Sequence, residues 1–197
     1  MKLIDISRDM LNTPVYPGDP EPSVERVRTI GDDSDCNLSA IYSCVHTGTH
    51  VDAPLHFIEG GFSVDEYPLD VFFGPCAVIE VKTSPITGEL VNKRFPRNTR
   101  RILIKGGAYF MDSAAEEAAA LGLKLIGTDA CSVGCRGNQI RPHKAFLSKG
   151  IAILEGLDLS RAEPGNYFLM AAPIRLGGLE GAPARAVLMS DYMPSSF

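Results

Sequence analysis

The segment His46-Thr47-Gly48-Thr49-His50-Val51-Asp52-Ala53-Pro54-Leu55-His56 contains three of the four histidines of the chain. Imidazole and carboxylate groups bind divalent metals of hard to borderline character. Gly48 and Pro54 exclude a regular helix. As an extended strand, the segment would place residues 46, 48, 50, 52, 54 and 56 on one face. Because four ionisable groups on one buried face would each need a partner, the segment predicts a metal site within a strand-built fold.

A bend at Gly48 would let the ligands of this segment converge. In a fully extended strand the α-carbons of His46 and His50 would lie roughly 13 Å apart, too far for easy binding of one ion. Glycine at the midpoint permits a kink or bulge. With that bend, His46, His50 and Asp52 can reach one metal. Three ligands of N and O type leave a coordination position open for water, as in catalytic sites.

A second ligand set is predicted in the other half of the chain. His143 lies on a short predicted helix, and Glu155 follows the apolar strand 151–154. A carboxylate at the end of a buried strand is costly unless it is paired or binds a metal. Asp52 could bridge two ions, with His143 and Glu155 completing the second. Two neighbouring ions can activate a water molecule and stabilise both sides of a hydrolytic transition state.

Length, composition and charge narrow the class of protein. The chain has 197 residues, of which 45% are hydrophobic, and these values predict a single domain over residues 1–197. A net charge of −5 argues against nucleic acid and anionic membrane surfaces as partners. The N-terminus lacks the apolar stretch of a signal peptide, and no run is long enough to span a membrane. Five cysteines, an odd number, indicate reduced thiols and a cytoplasmic protein.

The local sequence pattern predicts many strands and few helices. Short apolar or alternating runs predict nine strands, at 2–6, 23–29, 37–45, 76–82, 101–105, 124–127, 151–154, 166–171 and 185–189. One helix is predicted to begin at a cap on Asp112 or Ser113 and to end at Gly122, and another is predicted at 142–149. The fold class is therefore a strand-rich α/β or α+β domain.

Three further features of the sequence are a proline-dense loop, Asp129 and a glycine-rich stretch. The proline-dense stretch 13–20 predicts a rigid loop, and its aromatic residue, Tyr16, is a candidate wall for a substrate pocket. Asp129 could orient a histidine ligand through a hydrogen bond, but such an aspartate more often caps a turn through its own backbone, and no site role is assigned to it. The glycines at 177, 178 and 181 predict a flexible loop without chemistry.

The order of these features resembles a known family. The string His46–Phe57 is similar to the HxGTHxDxPxH motif of the cyclase-like metal-dependent hydrolases, which include bacterial kynurenine formamidase and isatin hydrolase. The resemblance extends over nearly the whole chain. Four shorter stretches also match family motifs: Tyr16-Pro17-Gly18-Asp19, Ile126-Gly127-Thr128-Asp129, Glu155-Gly156-Leu157 and Ala184-Arg185-Ala186-Val187.

The resemblance implies a role for each candidate residue. His46, His50 and Asp52 would bind the first metal, and Asp52, His143 and Glu155 the second, with Asp52 and Glu155 bridging. His56 would transfer protons without being a primary ligand. The implied cofactor is a pair of divalent ions per subunit, Zn²⁺ with Mn²⁺ as the alternative. The implied fold is a strand-rich "swivelling" β/β/α domain that associates as homodimers or homotetramers.

Three functions follow from these features. The first is hydrolysis of an aryl formamide such as N-formylkynurenine by water that the metals activate. The family's formamidases carry tryptophan where this chain has Tyr16, and the chain contains no tryptophan, which weakens the assignment of N-formylkynurenine. The second function is hydrolysis of a cyclic amide or lactam, as in isatin hydrolase. The third is a metal-binding domain without turnover. The candidate ligands also have purely structural interpretations: residues 46–52 as a solvated polar strand face, His143 as a surface histidine, and Glu155 as a salt-bridged carboxylate.

Overall fold

A nine-stranded mixed sheet forms the centre of the fold, with strand order β1-β11-β9-β5-β6-β7-β8-β4-β10. The computed structural model describes residues 1–31 and 34–191. The strands are β1 Lys2–Asp5, β2 Ser23–Arg28, β3 Leu38–Tyr42, β4 His50–Asp52, β5 Phe73–Glu80, β6 Arg101–Lys105, β7 Leu125–Thr128, β8 Ala152–Glu155, β9 Gly165–Met170, β10 Gly181–Pro183 and β11 Val187–Ser190. Short 3₁₀ turns cover Pro54–His56, Val64–Glu66 and Leu69–Val71.

The four strands β5, β6, β7 and β8 run parallel in the middle of the sheet. Their apolar runs are typical of strands that are covered on both faces. Helices connect them in sequence: α1 (Gly88–Arg94), α2 (Asp112–Ala120) and α3 (Ile140–Leu147). The remaining neighbours in the sheet pair antiparallel, including β4 between β8 and β10.

The sheet separates two hydrophobic clusters, because neighbouring residues of a strand point to opposite faces. Ile102 and Ile104 of β6 belong to a cluster with helix residues such as Phe146, whereas Leu103 belongs to the other. Leu125 and Ile126 of β7 divide in the same way. Burial on both faces makes the middle of the sheet a rigid platform for the residues that follow its strands.

The strands β2 and β3 form a separate two-stranded hairpin. Every residue of both strands is exposed, and this includes apolar side chains such as Ile41 at 59% and Tyr42 at 65% exposure. An isolated two-stranded hairpin is only marginally stable in water. The hairpin therefore presents apolar surface that the described residues of its own chain leave uncovered.

The strand-rich α/β class that the sequence predicted is confirmed, with local differences. All nine predicted strands are present, with ends that differ by at most three residues. The sequence pattern missed β4 and β10, each of three residues, and α1, which Thr87 caps by accepting a hydrogen bond from Leu90 N. The predicted cap of α2 was wrong, since Met111 occupies that position without a side-chain bond. Helix α3 begins two residues earlier than predicted.

The described residues also bear on the expectations for membrane spans and disulfides. Within residues 1–31 and 34–191, no helix has the length and apolar character needed to cross a bilayer. The five cysteines are all free thiols.

Candidate metal centre

The histidine-rich segment bends sharply instead of forming one strand. Only His50–Asp52 is a strand; residues before it form a turn, and Pro54–His56 is a 3₁₀ turn. Gly48 has φ +70°, a left-handed conformation that glycine adopts without strain. The prediction of one common face from 46 to 56 is therefore wrong, whereas the predicted bend at Gly48 is confirmed. That bend carries His46 back beside the residues of β4.

The first group of candidate ligands is His46, His50 and Asp52. His46 Nδ1 lies 2.9 Å and His50 Nε2 lies 3.3 Å from Asp52 Oδ1. One ligand atom from each of the three residues lies within 4.8 Å of the others, a spacing that suits a single ion. His50 and Asp52 are almost fully buried, and His46 is partly buried.

The second group is Asp52, His143 and Glu155. Strand β8 pairs with β4 so that Glu155 lies opposite His50. Helix α3 places His143 Nε2 3.2 Å from Glu155 Oε1 and 3.5 Å from Asp52 Oδ2. The three residues again offer atoms within 4.8 Å of one another, and all are buried. The structure thus brings together all five of the predicted ligands, with Asp52 common to both groups.

Backbone groups orient three of these side chains. His50 Nδ1 lies 3.0 Å from Gly48 O, and His143 Nδ1 lies 2.7 Å from Gln139 O. Each Nδ1–H can donate to its carbonyl oxygen, which leaves Nε2 facing the carboxylates, where it can carry a proton or, after losing it, bind a metal ion. The backbone N–H of Val133 donates to Glu155 Oε1 at 2.6 Å. The sequence analysis missed Gln139 and Val133, because a backbone donor or acceptor leaves no signal in residue type.

The charges of the cluster favour a cation. Among the described residues, no lysine or arginine forms an ion pair with Asp52 or Glu155, although both are buried. Asp52 Oδ2 is buried and accepts no close hydrogen bond within the described chain, since His143 Nε2 faces it only at 3.5 Å. Burial of two carboxylates without compensating charge is costly. An N/O donor set with an unpaired carboxylate oxygen fits divalent metal ions.

The same field acts on the protonation of the cluster. Burial opposes a charge on His50 and His143, but hydrogen bonds to Asp52 and the charges of Asp52 and Glu155 outweigh it. They raise the pKa of His50 to about 9 and that of His143 to about 10. Burial would raise the pKa of Asp52, but hydrogen bonds from His143, His46 and His50 hold it well below its usual value. The cluster stabilises positive charge, whether protons or metal ions supply it.

His56 lies beside the cluster but outside both ligand groups. Its ring stacks on that of His46 with 4.0 Å between centroids and meets that of His143 edge-on at 5.9 Å. Burial is the main cause that lowers the pKa of His56 to about 4. The charges of the neighbouring histidines lower it further, whereas the negative charge of Asp52 acts in the opposite direction. The imidazole of His56 is therefore neutral at pH 7.

A cavity of about 230 Å³ opens onto the cluster. Four predicted ligands line it together with His56 and Tyr16. Residues that the sequence analysis missed also line it, namely Asp19, Phe57, Cys131, Ser132 and Gln139. Phe57 could have been suspected from its place next to His56, but the others come from turns that only the tertiary fold brings near. A cavity of about 150 Å³ can hold one benzene molecule, so this one has room for an aromatic ring with a small substituent.

Asp129 and the glycine-rich loop 177–181 lie near the site, and both have defined hydrogen-bond partners. The carboxylate of Asp129 accepts hydrogen bonds from the N–H groups of Gly106 and Gly107 at 2.9 and 2.8 Å, so it fixes a neighbouring turn. The predicted flexible loop at 177–181 is wrong at its end, because Gly181 begins β10 and pairs with Asp52 of β4.

Comparisons with known proteins agree with this geometry. Residues 4–134 match the family model described as "Putative cyclase". The chain is 37% identical to a kynurenine formamidase of Salinibacter ruber, an alignment that covers 95% of this chain and 97% of the relative. A kynurenine formamidase of Sphingopyxis alaskensis is 33% identical over 95% of this chain and 97% of its own length.

Solved structures share the fold. A structure described as a potential metal-dependent hydrolase with cyclase activity superposes with a TM-score of 0.81 at 30% identity, covering 95% of this chain and 96% of the other. Isatin hydrolase A from Labrenzia aggregata gives a TM-score of 0.83 at 19% identity, covering 96% and 94%, which is a likeness of fold. The match over most of the chain, together with the buried His/Asp/Glu cluster, shows that this protein belongs to the cyclase family of metal-dependent hydrolases.

Proposed function

We propose that the chain, as one domain over residues 1–197, hydrolyses an amide bond, with an aryl formamide as its substrate class. The observation that carries this proposal is a pair of buried carboxylates among three histidines, with no lysine or arginine paired to them in the described chain, beside a cavity that has room for an aromatic ring. The names of its relatives in Salinibacter and Sphingopyxis, kynurenine formamidase, support the choice of a formamide.

The proposed cofactor is two divalent ions per subunit, Zn²⁺ with Mn²⁺ as the alternative. His46, His50 and Asp52 would hold the first ion. Asp52, His143 and Glu155 would hold the second, so Asp52 would be common to both ions, and the family resemblance implies that Glu155 is shared as well. Such ions supply an activated water nucleophile and polarise the substrate carbonyl. Imidazole and carboxylate donors suit both of these metals.

His56 is proposed to move the proton that amide hydrolysis requires. Its neutral imidazole can take a proton from the attacking water and then pass it to the nitrogen that leaves. An amide nitrogen is too basic to depart without that proton. The stacking of His56 on His46 fixes the plane of its ring beside the ligands. A positioned acid–base group of this kind typically contributes on the order of 10²–10⁴ in rate.

Tyr16 is proposed as a wall for the aryl part of the substrate, since it lines the cavity with the candidate ligands. The cavity of about 230 Å³ suits a single ring with its formamide, and a longer substituent would extend through the mouth. The chain has Tyr16 where the family's formamidases carry tryptophan, which weakens the match to an aryl formamide, and hydrolysis of a cyclic amide of the isatin type is the second candidate. Ring opening would use the same cluster and the same proton transfer by His56.

We further propose a homodimer or homotetramer of cytoplasmic subunits. The exposed apolar side chains of the β2–β3 hairpin support association, because burial of such surface against a second copy would stabilise both. The five free thiols support a reducing compartment.

A substrate panel tests the proposed activity. The purified protein, loaded with Zn²⁺ or Mn²⁺, is assayed on N-formylkynurenine, isatin and simple imides, and His56→Ala is assayed in parallel. Rapid turnover of N-formylkynurenine supports the formamidase, whereas turnover of isatin alone supports the second candidate. Bound metal without hydrolysis of any of these compounds would leave only a metal-binding domain and would refute the proposal.

A further inference from the structure

We propose that Glu180 is a positioning residue for His46, which it holds with Nδ1 directed at Asp52 and the first metal; this inference rests on the metal-dependent function proposed above. His46 differs from His50 and His143, whose outer nitrogens meet backbone carbonyl groups. The outer nitrogen of His46, Nε2, is buried without a hydrogen-bond partner and lies 3.5 Å from Glu180 Oε1.

The side chain of Glu180 reaches His46 from an anchored backbone. The carbonyl oxygen of Glu180 accepts a hydrogen bond from Ala53 N at 2.8 Å, immediately after β4. The preceding carbonyl, of Leu179, accepts from Val64 N at 2.9 Å. Gly178 N donates to Asp65 Oδ1, also at 2.9 Å. Three successive residues are therefore tied to the body of the protein, and the carboxylate is presented to the imidazole from a fixed point.

Gly181 closes the other side of the same imidazole. A Cβ atom at position 181 would lie 2.7 Å from His46 Cε1, so the ring packs directly against the glycine backbone. His56 stacks on the ring face at 4.0 Å between centroids. The imidazole of His46 is thus confined by packing, and its Nδ1 lies 2.9 Å from Asp52 Oδ1. The carboxylate of Glu180 supplies the polar partner that this confinement lacks.

A carboxylate on the outer nitrogen has a definite effect on a metal-binding histidine. It favours the tautomer with the proton on Nε2, which frees the lone pair of Nδ1 for the ion, and it makes that nitrogen a stronger donor. Loss of such a partner typically weakens metal binding by 10–100-fold. Glu180 stands 24 residues beyond the matched Glu155-Gly156 pair, in a segment for which the sequence suggested no chemistry.

The test measures metal binding and needs no substrate. Glu180→Ala and Glu180→Gln are compared with Glu89→Gln, a control at an exposed glutamate of helix α1. Affinity for Zn²⁺ is measured by competition with a chelator, and Co²⁺ absorption reports the ligand geometry. We expect affinity to fall about 10–100-fold in Glu180→Ala, less in Glu180→Gln, and not at all in the control. The melting temperature of each metal-free variant should equal that of the parent.

Two outcomes would overturn the inference. One is a Glu180→Ala protein with unchanged Zn²⁺ affinity and an unchanged Co²⁺ spectrum. The other comes from a His46→Ala background, in which Glu180 has no imidazole left to position, so Glu180→Ala should cause no further loss of Zn²⁺ affinity. A loss there as large as in the parent background would overturn the inference. A parent protein that binds no ion would refute the proposed function itself, and that result is distinct from either outcome because it appears before any variant is made.

Discussion

Replacement of Gly48 by alanine should damage the metal centre through the backbone alone. At φ +70° an alanine costs about 1–2 kcal/mol more than glycine. Its Cβ would also lie 3.0 Å from Met10 Cα and 3.1 Å from Met10 Cβ, a crowded contact that adds about 1 kcal/mol or more. The total expected loss in unfolding free energy is therefore about 2–3 kcal/mol.

The matched control for this variant is Gly122→Ala. Gly122 has φ +71°, nearly the same as Gly48, but a Cβ there would have no atom within 4 Å. It follows helix α2, away from the candidate ligands. The control should lose only the backbone contribution of about 1–2 kcal/mol. Urea denaturation of the metal-free proteins measures both losses.

Metal affinity distinguishes the two glycines further. The turn at Gly48 carries His46 and His50, so a shift of its backbone moves two candidate ligands of the first ion. Chelator competition should show about 10-fold weaker Zn²⁺ binding, or a larger loss, in Gly48→Ala and unchanged binding in Gly122→Ala. Equal stability losses in the two variants, with metal affinity intact in both, would refute the reasoning that this turn is a strained part of the site.

Three further measurements address the proton transfer, the charge of the cluster and the hairpin. His56→Ala should retain its metal while kcat falls on the order of 10²–10⁴-fold, and a near-normal kcat would contradict the role of His56. Since the pKa values of His50 and His143 are about 9 and 10, both histidines carry protons at pH 7. Metal loading should therefore release about two protons at pH 7 but fewer near pH 10. Calorimetry in buffers of different ionisation enthalpy counts the released protons, and a count of zero would contradict these pKa values. Their stabilising contribution to the metal-free fold is complete below about pH 6.5, the unfolded-state value, and should disappear as the pH rises through 9–10. Ile41→Asp, in the exposed hairpin, should shift the protein toward monomers in sedimentation velocity, and an unchanged distribution would exclude this surface from the interface.

The sequence was informative wherever local pattern determines structure. Apolar runs such as 101–105 predicted strands, and in the structure these strands are buried on both faces and run parallel, an environment that requires a continuously hydrophobic strand. The three-residue strands β4 and β10 have no such run, and their pairing depends on segments more than a hundred residues apart. The common face predicted for residues 46–56 is wrong because the left-handed Gly48 and the 3₁₀ turn Pro54–His56 break the alternation at either end of β4.

The candidate ligands divide in the same way. His46, His50 and Asp52 are visible as a local cluster of metal-binding residue types. His143 and Glu155 are ordinary residues in isolation, and only the family resemblance linked them with that cluster. Val133 N and the Glu180 carboxylate act through tertiary position, so neither residue type nor spacing could single them out. Gln139 lies only four residues before His143, but it acts through its backbone carbonyl, which residue type does not reveal.

The place of β4 in the sheet has a consequence for biosynthesis. Its residues lie near position 50, but its two neighbours in the sheet are built from residues 152–155 and 181–183. A ribosome must therefore add about 130 further amino acids before the histidine segment can pair on both sides. Contacts of such long sequence separation form slowly. We expect the nascent chain to acquire its ions only after residues 181–183 have been synthesised.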